Sequence, residues 1–253
     1  MTPLLRGVDE SQVRVLLLDI EGTTTPIDFV YKTLFPYASR KVESFLRDQS
    51  GYAEVQALVQ DLRVQHGMDD AQGLRPPIWV SDSDESRLRS CVAYVQWLIT
   101  KDSKCTPLKS LEGRIWQQGF ESGELRGDVY PDVPQAFARW RRQGRDICIY
   151  SSGSVLAQQL LFRTVASGDL TRCIAGFFDT QAGIKTSAES YRKIVASLGR
   201  EPLEFLFVSD AAKEIEAARS GGMCAILCER NPPVAGASAR AGVIHSFDEI
   251  FPG

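Results

Sequence analysis

Apolar residues run unbroken over Val15-Leu-Leu-Leu18 and stop at an acid, Asp19. A short apolar run bounded by turn residues reads as a buried strand, here placed over residues 13–18. After Pro131 such runs alternate with stretches of helical period. Residues 132–143 are predicted helical, with Asp132 as N-cap, Val133, Phe137 and Trp140 on one face, and Gly144 as the stop. A strand follows over 147–150, a turn over 151–153, a helix over 155–165 and a strand over 174–178. The helix predicted over 186–198 is the best marked. Thr186 and Glu189 have capping-box spacing, Tyr191, Ile194, Val195 and Leu198 form the apolar stripe, and Gly199 ends it. A strand over 203–208, a helix over 211–220 and a strand over 225–228 continue the pattern. Residues 229–242, with two prolines and several small residues, read as a loop.

Strands of four to six residues alternating with helices imply an α/β fold with a parallel sheet covered on both faces. Between the first strand and the second the pattern changes. Residues 37–46, 53–64, 85–100 and 108–120 read as helices, and the third carries Leu88, Val92, Val95 and Ile99 on one stripe. We therefore expect a core formed by residues 1–25 and 128–253, with a helical cap over 26–127 inserted after the first strand. A cap rooted there would hang over the carboxyl ends of the strands, where open α/β sheets bind ligands. It could exclude water and select substrate.

Composition narrows the partners. With 43% apolar and 24% charged residues, the 253-residue chain has the balance of a soluble globular protein. A net charge of −3 argues against nucleic acid or an anionic membrane as partner. No apolar run reaches the ~18–20 residues of a membrane helix, and the N-terminal residues lack a secretory pattern. A cytoplasmic protein with reduced cysteines is expected. Cys224 and Cys228 read as small buried strand residues, since only His66 and His245 could join them on zinc. No apolar heptad is present, and a monomer is expected.

The chemistry gathers at the strand ends. The first strand is followed by Asp19, Glu21 and Thr23, the second by Ser151, Ser152 and Gly153. Lys185 comes after the third, and Asp210 after the fourth, with Glu214 one turn later. Carboxylates suit a hard cation such as Mg²⁺, which takes few protein ligands and fills its shell with waters and phosphate oxygens. Hydroxyls and helix N-terminal amides suit phosphate oxygens, and a lysine cancels more of their charge. A carboxylate can also attack phosphorus directly. The reading at this level is a phosphate site with a hard cation such as Mg²⁺. Thr23 to Thr25 read as hinge residues, and Glu214 reads equally well as part of the metal surroundings or as a solvated acid.

Asp19-x-Glu-Gly-Thr, a serine after the second core strand, an isolated lysine and an aspartate after a later strand resemble the four motifs of the haloacid dehalogenase-like phosphatases. Their usual first motif is Asp-x-Asp-Gly-Thr, and Glu21 departs from it. Asp-x-Glu-Gly-Thr-Thr-Thr-Pro-Ile is similar to the enolase-phosphatase branch of methionine salvage. So are Pro107-Leu-Lys-Ser-Leu-Glu-Gly-Arg-Ile-Trp116, Ile149-Tyr-Ser-Ser-Gly-Ser154, Phe177-Phe-Asp-Thr180 and Glu189-Ser-Tyr-Arg-Lys-Ile194.

The resemblance implies a Rossmann-like core and a small phosphorylated diketone, 2,3-diketo-5-methylthiopentyl-1-phosphate, as substrate. It would be enolised and then dephosphorylated to an acireductone. The resemblance further implies Asp19 as nucleophile and metal ligand, Glu21 as a metal-site residue and acid/base, and Asp210 as a metal ligand. Ser151 and Ser152 would hold substrate, and Lys185 would serve both binding and catalysis. Lys109, Gly113 and Trp116 of the cap could approach the methylthio end or close over it, although the Trp reads more readily as core than as ligand. A phosphatase for another small metabolite stays open, because the cap sets the substrate, and so does a fold that has lost its chemistry.

Overall fold

The computed structural model describes residues 8–230 and 242–252. The chain divides into two compact units, Met1–Ile27 with Arg126–Gly253, and Asp28–Leu125.

The first unit is α/β, as the alternating pattern predicts. Its described residues form the strands β1 (Val15–Leu18), β2 (Asp146–Tyr150), β3 (Ile174–Phe178), β4 (Phe205–Ser209), β5 (Cys224–Cys228) and β6 (Val243–Ile244). They lie in the order β3-β2-β1-β4-β5-β6, and every pairing is parallel. β1 is buried along its whole length, which is why it reads as a continuous apolar run rather than an alternating one. Val15 and Leu17 share a core with Phe205 and Phe207 of β4, with Tyr191 and Ile194 of α8 (Ala188–Leu198) and with Ile215 of α9 (Ala212–Ser220). Helices α6 (Val133–Arg142) and α7 (Val155–Arg163) pack on β2 and β3, and the Phe137 and Phe162 rings meet at 6.1 Å. From β1 the chain winds outward to β2 and β3, then returns to the other side of β1 for β4 and β5. The reversal places the carboxyl ends of β1 and β4 at the switch point of the sheet, where ligands bind in such folds.

Several local expectations give way. Asp132 does precede α6, but its side chain makes no capping bond. Its Oδ2 instead accepts from Arg230, from the Ser246 hydroxyl and from the Phe247 N–H. Distant charged and polar donors have outcompeted the local amide. The predicted Thr186–Glu189 capping box is absent as well. The helix starts later, behind Ser187, without a side-chain cap, and Glu189 pairs with Arg192 at 3.1 Å. β6 begins directly after the predicted loop at 229–242, of which residues 231–241 lie outside the described part of the chain.

The second unit is helical. A short turn, α1 (Ile27–Phe29), runs into a π-helical stretch over Val30–Leu34, and then come α2 (Phe35–Asp48), α3 (Ala53–Ala71), α4 (Asp84–Thr100) and α5 (Thr106–Glu121). α3 outlasts its apolar stripe because polar anchors replace it. His66 meets the Pro77 carbonyl at 2.8 Å, and Asp69 accepts from the Tyr94 hydroxyl at 2.7 Å. Among the described residues no helix is long and apolar enough to cross a membrane.

Glu112 of α5 is an acid out of place. It is 4% exposed, and its Oε1 has no hydrogen-bond partner among the described residues. Burial pushes its carboxyl up to about 8, against the pull of Lys104. A folded pKa above the unfolded one means stability is full below the unfolded value and is lost as pH rises through the folded one. Glu112→Gln removes the proton cost. It is expected to leave stability nearly unchanged at pH 4.5 and to raise it by about 3 kcal/mol at pH 7, with the gain levelling off above pH 8. Urea melts of both proteins across that range measure the difference, and a gain independent of pH would contradict it.

Candidate active site

Backbone geometry builds the turn after β1. The N–H groups of Thr23, Thr24 and Thr25 all converge on the Ile20 carbonyl, at 3.2, 3.0 and 2.8 Å. Such a tight reversal needs a residue with positive φ, and Gly22 supplies it at +71°. The missing side chain matters twice, because a Cβ there would collide with the Asp210 carboxylate. The Thr24 hydroxyl donates to the Asp19 carbonyl at 3.0 Å. The turn thus fixes Asp19 from behind while leaving its carboxylate at the carboxyl end of β1.

That carboxylate is buried and held at both oxygens. Lys185 Nζ contacts Oδ1, and the Ser209 hydroxyl lies 3.3 Å from Oδ2. Lys185 also pairs with Glu214 at 2.6 Å, and Ser209 donates to Glu214 at 2.8 Å. Burial works against the charge on Lys185, but the Asp19 and Glu214 carboxylates outweigh it and hold its pKa above the ordinary lysine value. The loop carrying Lys185 is anchored by two tyrosines. Tyr191 donates to the Lys185 carbonyl at 2.7 Å, and Tyr150 donates to the Gly183 carbonyl at 2.9 Å.

Asp210 follows β4, and its N–H donates to the Thr23 hydroxyl at 3.0 Å. Burial, with the Asp19 charge next, pushes its carboxyl up to about 6, and Glu214 and Glu21 add to the shift. The ends of β1 and β4 therefore hold more negative charge than Lys185 neutralises. This is the electrostatic setting of a divalent cation. Among the described residues no three His, Cys, Asp or Glu side chains form a ready-made cage. The donor set still suits Mg²⁺, which uses one or two carboxylates and completes its shell with water and phosphate oxygens.

Ser151 and Ser152 lie past β2, beside β1 in the sheet. Ser151 is buried, and its Oγ accepts from the Gly153 N–H at 3.2 Å. Gln158 of α7 holds this turn by donating to the Gly153 and Phe178 carbonyls at 2.8 and 2.9 Å. No hydrogen bond joins Ser151 or Ser152 to the Asp19 cluster among those described. Glu21 forms a bridge with Thr25 and reaches Asp210 through its charge.

The structure thus joins Asp19, Lys185, Glu214 and Ser209 by direct contact. It draws Asp210 and Glu21 close enough to repel and keeps the two serines on the adjoining strand end. Glu214, undecided from sequence, is a full member of this group. Ser209 escaped the sequence reading; the only signal was a hydroxyl where an apolar strand gives way to Asp210. The hydroxyl of Thr23, read as a hinge, supports Asp210. In the second unit Trp116 stacks on Phe35, with centroids 6.3 Å apart, and donates to the Leu34 carbonyl at 2.9 Å.

Residues 13–222 match the haloacid dehalogenase-like hydrolase family. An enolase-phosphatase E1 of Synechococcus elongatus is 47% identical, over 94% of this chain and 98% of its own. The enolase-phosphatase E1 of Drosophila melanogaster is 44% identical, over 87% of this chain and 85% of its own. Among solved structures, the UTR4 protein of Saccharomyces cerevisiae superposes with a TM-score of 0.72 at 32% identity, covering 93% of this chain and 99% of that one.

Proposed function

This chain belongs to the enolase-phosphatase E1 family of haloacid dehalogenase-like hydrolases, and we propose how its core residues divide the two steps of that activity. The chain is a methionine-salvage enolase-phosphatase. It converts 2,3-diketo-5-methylthiopentyl-1-phosphate to 1,2-dihydroxy-3-keto-5-methylthiopentene and phosphate. The observation that carries the division of roles is the Asp19 carboxylate, pinned between Lys185 and Ser209 at the end of β1.

The double bond of the product joins C1 and C2, so enolisation removes a proton from C1 and places one on the C2 oxygen. Glu21 is the acid/base we assign to this transfer. Asp19 then attacks phosphorus as the ester oxygen leaves, giving an aspartyl-phosphate that water hydrolyses. Ser151, Ser152 and the amides at the start of α7 hold the phosphoryl oxygens. Lys185 offsets their charge and keeps Asp19 aimed. Glu214 and Ser209 fix the lysine and the nucleophile. Asp19, Glu21 and Asp210 would hold one Mg²⁺, which when bound supplies positive charge to the enolate oxygen and to the phosphoryl group. We read the helical unit over Asp28–Leu125 as the cap that selects substrate. We further read the enzyme as a cytoplasmic monomer, and its net charge of −3 speaks against nucleic-acid or anionic-membrane partners.

Chelation tests the cation assignment. EDTA is expected to stop phosphate release from the diketo phosphate, and added Mg²⁺ to restore it. Turnover indifferent to chelator would sink the assignment. Phosphate release from unrelated sugar phosphates at rates matching the diketo phosphate would favour a general phosphatase instead.

A further inference from the structure

We infer that Arg230 is a positioning residue for the cation site, acting through the Thr23 turn. Arg230 stands two residues past β5, yet it binds the turn after β1, beyond the intervening end of β4. Its side chain is 5% exposed. Nε donates to the Thr23 carbonyl at 2.8 Å, and Nη1 pairs with Asp132 at 2.6 Å. The guanidinium lies 4.4 Å from the centroids of both the Tyr130 and Phe247 rings. The Tyr130 N–H donates to the next carbonyl, Thr24, at 3.0 Å. The Thr23 hydroxyl in turn accepts the Asp210 N–H. Two hydrogen bonds therefore connect a rigid, buried cation to the backbone of Asp210. The planar fork presents Nε to Thr23 and Nη1 to Asp132 in one fixed geometry, which the ammonium of a lysine does not reproduce.

The inference rests on the reading of Asp19 and Asp210 as cation ligands, and Mn²⁺ binding separates the two. Purified full-length protein is titrated with Mn²⁺ and followed by electron paramagnetic resonance, alongside thermal melts. Arg230→Lys keeps a positive charge for Asp132 but loses the Thr23 bond. It is expected to melt near the wild type while binding Mn²⁺ about tenfold more weakly, the scale of lost outer-shell support. A purely structural ion-pair role would be rescued by lysine, so wild-type affinity in Arg230→Lys would overturn the inference. Should that variant not fold, Thr23→Val carries the test. It leaves the Arg230–Asp132 pair in place and removes the acceptor of the Asp210 N–H. Weaker Mn²⁺ binding supports the chain of contacts, and unchanged binding overturns it. A wild type that binds no Mn²⁺ would overturn the cation reading, and this inference with it.

Discussion

Asp19→Asn is expected to abolish phosphate release, with a fall of at least about 10⁴-fold, or ~5.5 kcal/mol in the barrier. The substitution changes one oxygen to nitrogen. The side chain still fits between Lys185 and Ser209, so the variant is expected to fold. What it loses is the carboxylate nucleophile, and an amide cannot form the acyl phosphate through which the ester bond is broken. It also removes one negative charge from a site where burial and neighbouring acids already push Asp210 up to about 6. That carboxyl is therefore expected to ionise more readily in the variant. Rapid-quench assay of phosphate under single-turnover conditions measures the loss. Substantial residual turnover would rule out Asp19 as nucleophile.

The second large effect is expected at Lys185. Its side chain is 12% exposed and holds Asp19 and Glu214 together. Lys185→Met keeps the length and removes the charge, leaving two buried carboxylates without their shared cation. Removing one partner of a buried ion pair costs about 3–5 kcal/mol. The sign with pH follows from the raised pKa of Lys185. Its stabilisation is full below the unfolded lysine value and fades only as pH climbs through the higher folded one, so the wild type keeps it throughout the neutral range. In the variant the acids repel one another once ionised. Its deficit should thus be large at pH 7–8 and smaller near pH 4, where protonation relieves the repulsion. Denaturant melts at both pH values check this, and a deficit that grows on acidification would contradict it. Activity is expected to fall with stability, since the phosphoryl charge then meets uncancelled carboxylates.

Much of the core was legible because its strands are buried on both faces. Val15–Leu18 and residues 205–208 read as unbroken apolar runs, and an acid, Asp19 or Asp210, stands just past each. Asp19, Ser151 and Asp210 were visible for the same reason, as residues just past strand ends, whereas Lys185 stands in the loop after β3. What sequence could not show were the contacts that cross the fold. The Asp132 side chain obeys no local rule, because its donors lie about a hundred residues away at Arg230, Ser246 and Phe247. Arg230 itself sits beside a proline-containing stretch and carries no periodic signal. Ser209 completes an apolar strand and so reads as its last residue. In the helical unit the π-helical stretch over Val30–Leu34 shifts the helix face and hides the early start of the first long helix. The buried Glu112 is likewise invisible to a pattern that expects acids at the surface.

The most direct measurement is a single-turnover time course of the wild-type enzyme, loaded with Mg²⁺ and given 2,3-diketo-5-methylthiopentyl-1-phosphate. Absorbance of the enol and the acireductone is followed together with free phosphate. The enol is expected to rise first, with acireductone and phosphate then appearing in equal amounts. Phosphate released with no preceding enol signal, or no turnover of this substrate at all, would contradict the assignment.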